Sequence, residues 1–308
     1  MTSLRANFGD LLEPGLRKIF DDQFNLIPEV YSSIFHVSSS DVDVERDSAV
    51  TGFGLLTQTA EGSPITYDDP VQMYDVSYVH LKYTKGFKVS EELVEDDRYN
   101  VIKKKPKALA RAARRQAEYL GAQVFNNAFS AGTGGDAKYL CSVAHSRADG
   151  GTAQSNANAS GVTLTEPNLN TGILAMREQL DDRGQVISMK ADTLVVPPAL
   201  EKIAFEITKS GMRSGTADND GNYYSGKLKV ISWDWLSSAA GGSDTAWFLM
   251  DSSQHELNYY WRIRPEFKQD NSFDTGMALF KVRMRASRGW SDWRGVWGSK
   301  GDSASYTS

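Results

Sequence analysis

Hydrophobic and polar positions change rhythm several times along this chain, and each change predicts an element. Leu4, Phe8, Leu11, Leu12, Leu16, Ile19 and Phe20 recur at helical spacing, with Pro14-Gly15 dividing them into two short helices. From Asp41 to Thr59 the pattern turns extended, Glu61-Gly62-Ser63-Pro64 reads as a loop tip, and aromatic and β-branched residues dominate from Tyr74 to Tyr83. Residues 50–88 therefore read as a long two-stranded excursion, marginal on its own in water and in need of a surface to lie on.

Ser90 with Glu91 and Glu92 predicts the capped start of a short helix ending near Asp97. A longer helix is expected from Pro106, whose missing N–H suits a first turn, to about Phe129, roughly 35 Å at 1.5 Å per residue. On it Leu109, Ala113, Ala117, Leu120, Val124 and Ala128 form one stripe, and Lys107, Arg111, Arg114, Arg115 and Glu118 form another. Residues 131–161, rich in Gly, Ser, Asn and Ala, read as a flexible surface loop with little core. Thr165 to Arg183 reads as a helix capped by Thr165 with Pro167 near its start. Thr193-Leu194-Val195-Val196 reads as a short buried strand stopped by Pro197-Pro198, with another helix through Leu200, Ile203, Ala204 and Ile207. Strand runs follow at Lys227 to Trp233, Ala246 to Met250, Leu257 to Ile263 and Met277 to Ala286, so the class is α+β. No fixed period recurs, which excludes a solenoid or propeller.

Length and composition narrow the class. The 308 residues suffice for two domains, and 40% hydrophobic with 24% charged residues is the balance of a folded, soluble chain. Met-Thr-Ser-Leu-Arg leads into no apolar run, so neither an export signal nor a membrane anchor is expected. Cys141 is the single cysteine, and a fold without an internal disulfide suits a reducing compartment such as a cytoplasm. A net charge of −5 opposes wholesale wrapping of nucleic acid. Yet Lys103, Lys104, Lys105, Lys107, Arg111, Arg114 and Arg115 crowd residues 103–118 against Glu118 alone. Such a strip can face acidic surface on another copy, or be no more than a solvated helix face.

Candidate chemistry is thin. Cys141 and His145 stand four apart with no second pair, so they read as ordinary surface residues rather than a metal site or a nucleophile and base. Asp41, Asp43 and Glu45 alternate, which would place three carboxylates on one strand face for weak calcium binding, though a solvated face is the simpler reading. Gly132-Thr-Gly134-Gly135 lacks the ending of a phosphate loop, and Gly52-Phe-Gly54 lacks the third glycine of a dinucleotide fingerprint. All seven tryptophans fall after residue 230, where core and subunit packing are favoured over a sugar-stacking surface. No catalytic residue, metal or cofactor is called for. A carbohydrate-binding tail or fibre protein remains the alternative, and a hydrolase would need two close carboxylates in a deep pocket.

Three groups of motifs, taken in order, carry a resemblance. Ala60-Glu61-Gly62 is followed by a strand and by Phe87-Lys88-Val89-Ser90-Glu91-Glu92-Leu93, and then comes the basic helix from Pro106. Leu140-Cys141-Ser142-Val143-Ala144-His145 precedes Asn156, Leu180-Asp181-Asp182-Arg183-Gly184-Gln185 and Leu194-Val195-Val196-Pro197-Pro198. This order resembles the major head subunits of tailed bacteriophages with the Hong Kong 97-type capsid fold, and within them the Mu-type major head subunit family.

The resemblance implies an N-terminal arm (1–49), an extended loop (50–88), a peripheral domain with a long spine helix (89–131 and 262–300) and an axial domain (132–261). It implies a virion protein that self-assembles in the host cytoplasm, as hexamers and pentamers, into an icosahedral shell enclosing DNA without sequence-specific binding. Scaffolding, portal and decoration proteins would be further partners, with no membrane. Glu61 and Gly62 at the loop tip, and Lys107, Arg111, Arg114 and Arg115 on the helix, are then expected at subunit interfaces. Some relatives lock their shells by isopeptide bonds from a loop lysine. No lysine lies between Thr51 and Leu81, so non-covalent contacts are expected here.

Overall fold

The computed structural model describes residues 8–70, 72–90, 92–93, 101–132, 134–147, 150–212, 221–272 and 277–306. In chain order its elements are α1 (Phe8–Leu26), β1 (His36–Ser39), β2 (Val44–Val50), β3 (Gln72–Val79), β4 (Leu81–Val89) and α2 (Val101–Asn126). Then come α3 (Glu166–Arg177), β5 (Thr193–Val196), α4 (Glu201–Thr208), β6 (Lys229–Ser232), β7 (Trp247–Met250), β8 (Leu257–Ser272), β9 (Met277–Trp290) and β10 (Val296–Ser299). The chain divides into two compact units: Met1–Glu45, Tyr78–Gly121 and Tyr259–Arg288 form unit one, and the remainder forms unit two.

Unit one is a sheet ordered β1-β8-β9-β4 backed by helices. β4 runs antiparallel to β9, with Leu81 opposite Ala286 and Val89 opposite Ala278. Alternation decides the rest, because Phe280, Val282, Met284 and Ala286 of β9 are buried while Lys281 between them is exposed. Val89, Phe280 and Val282 meet Leu16 and Phe20 of α1 and Ile102, Leu109 and Ala113 of α2. The two short helices expected around Pro14 are one helix, since Pro14 forfeits one hydrogen bond whereas burial of Leu16 and Phe20 is worth about 2 kcal/mol apiece. The same balance lets α2 begin five residues before Pro106, anchored by buried Ile102. Of the short helix expected after Ser90, only residues 92–93 are described; they are helical, and the Leu93 N–H donates to the Ser90 hydroxyl at 3.4 Å.

Unit two is built on the sheet β10-β7-β5-β6, in which β5 is parallel to β6 and antiparallel to β7. Every residue of β5, β7 and β10 is buried, as expected of a sheet covered on both faces. Leu169 and Met176 of α3 and Ala204 of α4 pack with Leu194, Trp247, Leu249 and Trp297. Gly172 makes the approach possible, because a Cβ there would come within 2.9 Å of Leu249 and 3.0 Å of Trp297. Thr165 caps α3 as expected, its hydroxyl accepting from the Asn168 N–H, but the helix stops at Arg177 rather than Arg183. There the Asp181 carboxylate accepts from the N–H groups of Arg183 and Gln185 and folds the chain into a turn. Trp233, Trp247, Trp261, Trp290, Trp293 and Trp297 are buried and Trp235 is half-buried, so the tryptophans at this end of the chain serve mainly as core.

Candidate assembly surface

The excursion is paired only at its base. β2 and β3 form a two-stranded sheet, and between them residues 51–71 contain no strand among those described. β4, expected to belong to the same excursion, joins β9 instead. Gly52, Gly54 and Pro64 weaken any ladder further out. The two arms stay together through side chains. The Gly54 N–H donates to the Asp68 carboxylate at 2.9 Å, and the Thr57 and Thr66 hydroxyls stand 3.5 Å apart. The tip turns at Glu61-Gly62, where Gly62 has φ +80 and the Ser63 N–H reaches the Ala60 carbonyl at 3.1 Å. Arg183 grips the returning arm with both terminal nitrogens, on the Asp68 carboxylate at 2.6 Å and the Asp69 carbonyl at 2.7 Å. The Gly54 N–H, and after it Arg183, hold the Asp68 carboxyl below its ordinary range.

What the excursion presents is apolar. Phe53, Leu55, Leu56, Ile65 and Tyr67 are exposed, Leu56 completely so. Covering a side chain of this kind is worth about 1.5–3 kcal/mol, so the row represents a large unspent burial energy on a segment with no core of its own. Glu61 and Gly62 at the tip are open to solvent.

On α2 the basic row separates into two groups. Lys107, Arg111 and Arg115 are exposed, as are Lys103 and Lys104. Arg114 turns inward: its guanidinium pairs with Glu29, donates to the Phe24 carbonyl at 3.0 Å and lies 4.0 Å over the Phe24 ring. Glu118, also buried, accepts from the Val30 N–H at 2.8 Å. Together they bind the segment after α1 onto α2, beside a half-open cavity of about 630 Å³ that also involves Tyr31, Trp261 and Arg264. The expected charged stripe is therefore narrower than the sequence implied. A signal was there, because Arg114 and Glu118 lie one turn apart beside Ala110, Ala117 and Gly121, small residues that permit close approach.

The stretch 131–161, expected to be a surface loop, holds some of the most buried residues of unit two, including Leu140, Cys141, Ser142, His145 and Asn156. Asn156 organises it. Its amide donates to the carbonyls of Leu140 at 2.7 Å and Val296 at 3.1 Å, while its oxygen accepts from the Ser142 N–H at 2.8 Å and faces His145 Nε2 at 3.0 Å. His145 Nδ1 meets Asp136 at 2.6 Å, and the ring stacks on Trp293 with centroids 4.1 Å apart. Burial opposes ionisation of Asp136, but the hydrogen bond and charge of His145 outweigh it and hold the carboxyl below its ordinary range. Cys141 is wholly buried, which pushes its thiol far above the usual value. The local sequence predicts surface groups here; polar partners supplied from distant segments bring them inside. Both imidazole nitrogens are engaged within the core, an arrangement that secures a loop rather than activating a thiol. The alternating carboxylates do not share a strand face, because β2 begins at Val44, after Asp41 and Asp43.

Residues 74–299 match a family model described as phage capsid protein. The chain belongs to that family. Its fold is the α+β Hong Kong 97-type fold of tailed-phage capsids, and as a major capsid protein it is a shell-forming component of the virion. The capsid of bacteriophage JBD30 decorated with minor capsid protein trimers superposes with a TM-score of 0.55 at 15% identity, over 68% of this chain and 92% of that one. A chain of Mycobacterium phage Adephagia gives 0.52 at 13% identity over 91% and 96%. The capsid of an empty GTA particle gives 0.52 at 13% over 92% and 92%. No curated protein sequence matches. The apolar side chains of the excursion and the row of Lys107, Arg111 and Arg115 on α2 are thus exposed on this capsid subunit.

Proposed function

We propose that this capsid protein closes its shell by laying the excursion of residues 51–71 over a neighbouring copy, while the exposed basic row of α2 meets acidic surface on another. The exposed row of Phe53, Leu55, Leu56, Ile65 and Tyr67 carries the reading, because a segment so apolar and so poor in internal contacts is stabilised only by a partner. Charge supports it as well. Unit one holds 21 Lys and Arg against 17 Asp and Glu, and unit two holds 13 against 22, so copies can attract through unlike surfaces. Contacts of this head-to-tail kind close into rings, and rings of six and five into an icosahedral shell.

In this reading residues 1–49 serve as an arm, 50–88 as the extended loop, 89–131 with 262–300 as the peripheral domain and 132–261 as the axial domain, in the Mu-type manner. Glu61, Gly62, Lys107, Arg111 and Arg115 lie in subunit contacts, whereas Arg114 acts from within by fixing the base of the arm. The protein carries out no catalysis. It assembles in the host cytoplasm, encloses DNA without reading its sequence, and works with scaffolding, portal and decoration proteins. The test is excision of residues 55–66 behind a Gly-Ser bridge, with the parent examined in parallel by electron microscopy. The shortened chain is expected to stay soluble with an unchanged melting temperature and to form no shells. Shells of normal size from it would sink the proposal.

A further inference from the structure

The chain leaves unit one after Glu45 and re-enters it at Tyr78, so the residues flanking these two points form the root of the excursion. On the returning side β3 and β4 are separated by His80 alone. Alternation turns it inward: Tyr78 and His80 are 3% and 5% exposed, whereas Val79 and Leu81 are 57% and 50% exposed. An apolar residue is the ordinary choice at such a position. The imidazole is instead bonded at both nitrogens. Nε2 lies 3.0 Å from Ser40 Oγ on the outgoing side, and Nδ1 lies 3.0 Å from Ser287 Oγ of β9. Both serines are buried. Ser40 is held in turn by β8, its N–H donating to the Trp261 carbonyl at 3.0 Å and its carbonyl accepting from the Arg262 guanidinium at 3.3 Å. The end of β1, the start of β4 and the end of β9 thus meet on one ring.

A neutral ring suits this place and an imidazolium does not. Neutral imidazole offers one N–H and one lone pair, and a hydroxyl can give or take, so both bonds form with either tautomer. Burial holds the ionisation of His80 below its ordinary range, and Arg285 of β9 and Arg262 of β8 act in the same sense. Glu45 of β2 and Asp43 before it pull the other way. Two cations and two carboxylates face the ring, so their effects largely offset and burial decides. The direct partners are uncharged hydroxyls, which leave a proton on the ring uncompensated.

We infer that His80 is a proton-operated latch at the root of the excursion, which when neutral fastens the outgoing chain at Ser40 and the returning chain to β9 at Ser287, and when protonated releases both. A proton from solvent adds to the nitrogen that accepts a hydroxyl in the neutral ring, and the charged ring is then stabilised by reaching water. The sign follows from linkage. For a base whose folded value lies below its unfolded one, stability is present above the ordinary value, about pH 6.5, and is lost as pH falls towards the folded value. One proton makes the opening equilibrium rise by at most about tenfold per pH unit. The latch lies wholly within unit one and does not depend on what the excursion touches.

Hydrogen exchange of the full-length, unassembled protein, corrected for the pH dependence of intrinsic exchange, is the test. Between about pH 7.5 and about pH 5.5, protection in peptides covering 38–43 and 79–83 is expected to fall at least about tenfold, while residues 193–196 of β5 change less than about twofold. His80→Gln keeps a donor and an acceptor but takes up no proton, and should abolish that dependence. A second measurement needs no change at His80: the ring's own titration followed by NMR, in the parent and in Ser287→Ala. The parent midpoint is expected below about 6.5, and loss of the Ser287 hydroxyl, by opening the site to water, should move it up towards that value. Protection independent of pH in the parent, pH dependence surviving His80→Gln, or a midpoint unmoved by Ser287→Ala would each overturn the latch.

Discussion

Two segments of this capsid protein look alike in sequence and end in opposite places. Residues 51–71 and 131–161 both carry glycines, serines and threonines and both read as loops, yet the first exposes its leucines and a tyrosine while the second buries a histidine and an asparagine. Hydrophobicity alone would have them the other way round. The difference lies in which groups find partners inside the chain. In the second segment one amide satisfies three backbone groups and one imidazole, so burial leaves those polar groups paired. In the first, the apolar side chains of Phe53, Leu55, Leu56, Ile65 and Tyr67 are exposed among the described residues, and the proposed function has them covered on assembly. One loop is part of the folding core, and the other is proposed to be buried only by a neighbouring copy.

That contrast can be broken by measurement. Excising residues 55–66 should abolish shells at no cost to folding, whereas removing one side-chain amide by Asn156→Ala should leave the Leu140 and Val296 carbonyls and the Ser142 N–H unpaired. About 3 kcal/mol of destabilisation is expected, at roughly 1 kcal/mol per orphaned group. Denaturant titration checks it, and a loss under 1 kcal/mol would mean the buried network is incidental.

The basic helix sharpens the same point within a single element. Arg114→Ala should destabilise unit one by about 2–3 kcal/mol, because it leaves Glu29 and the Phe24 carbonyl without their partner, softened by the partial exposure of Glu29. Arg111→Glu with Arg115→Glu should change folding by less than about 0.5 kcal/mol and impair assembly, with a defect that shrinks as salt is raised. If both substitutions acted on folding alike, the division of the helix into inner and outer cations would be wrong.

A smaller effect is expected from acid. Since the folded Asp136 carboxyl ionises below its ordinary range, it contributes stability that is present above about pH 4 and is lost as pH falls through the folded value. Asp136→Asn should flatten that acid limb of the stability curve for unit two, read by thermal melts at stepped pH. The least perturbing check is a denaturing gel of intact shells. With no lysine between Thr51 and Leu81, a single band near 34 kDa is expected. A ladder resistant to boiling and reductant would show that the excursion is fixed covalently after all.

Much of this could be read from the residues in order. The Thr165 cap, the buried run at 193–196 stopped by two prolines, the strands of the last hundred residues and the excursion with its tip at Glu61-Gly62 all follow from local patterns. So does the capsid family, because motif order is itself a property of the sequence. Helix boundaries near Pro14 and Pro106 did not follow, since a proline's local cost is outweighed by side chains buried a turn or two away.

What the sequence determined is which segments tend to helix, strand or turn, since that preference is set within a few residues and repeats with the period of the element. Tertiary structure alone decided which polar groups are inside. Arg114 meets Glu29 across 85 residues, and Asn156 meets Val296 across 140. Tertiary structure also decided that β4 pairs with β9, nearly two hundred residues away in the chain, rather than with the excursion it adjoins. Such partners carry no local signature. An arginine that will be paired and one that will face water have the same neighbours in sequence, and only closure of the chain, by supplying a carboxylate and a carbonyl at bonding distance, makes burial of one of them favourable.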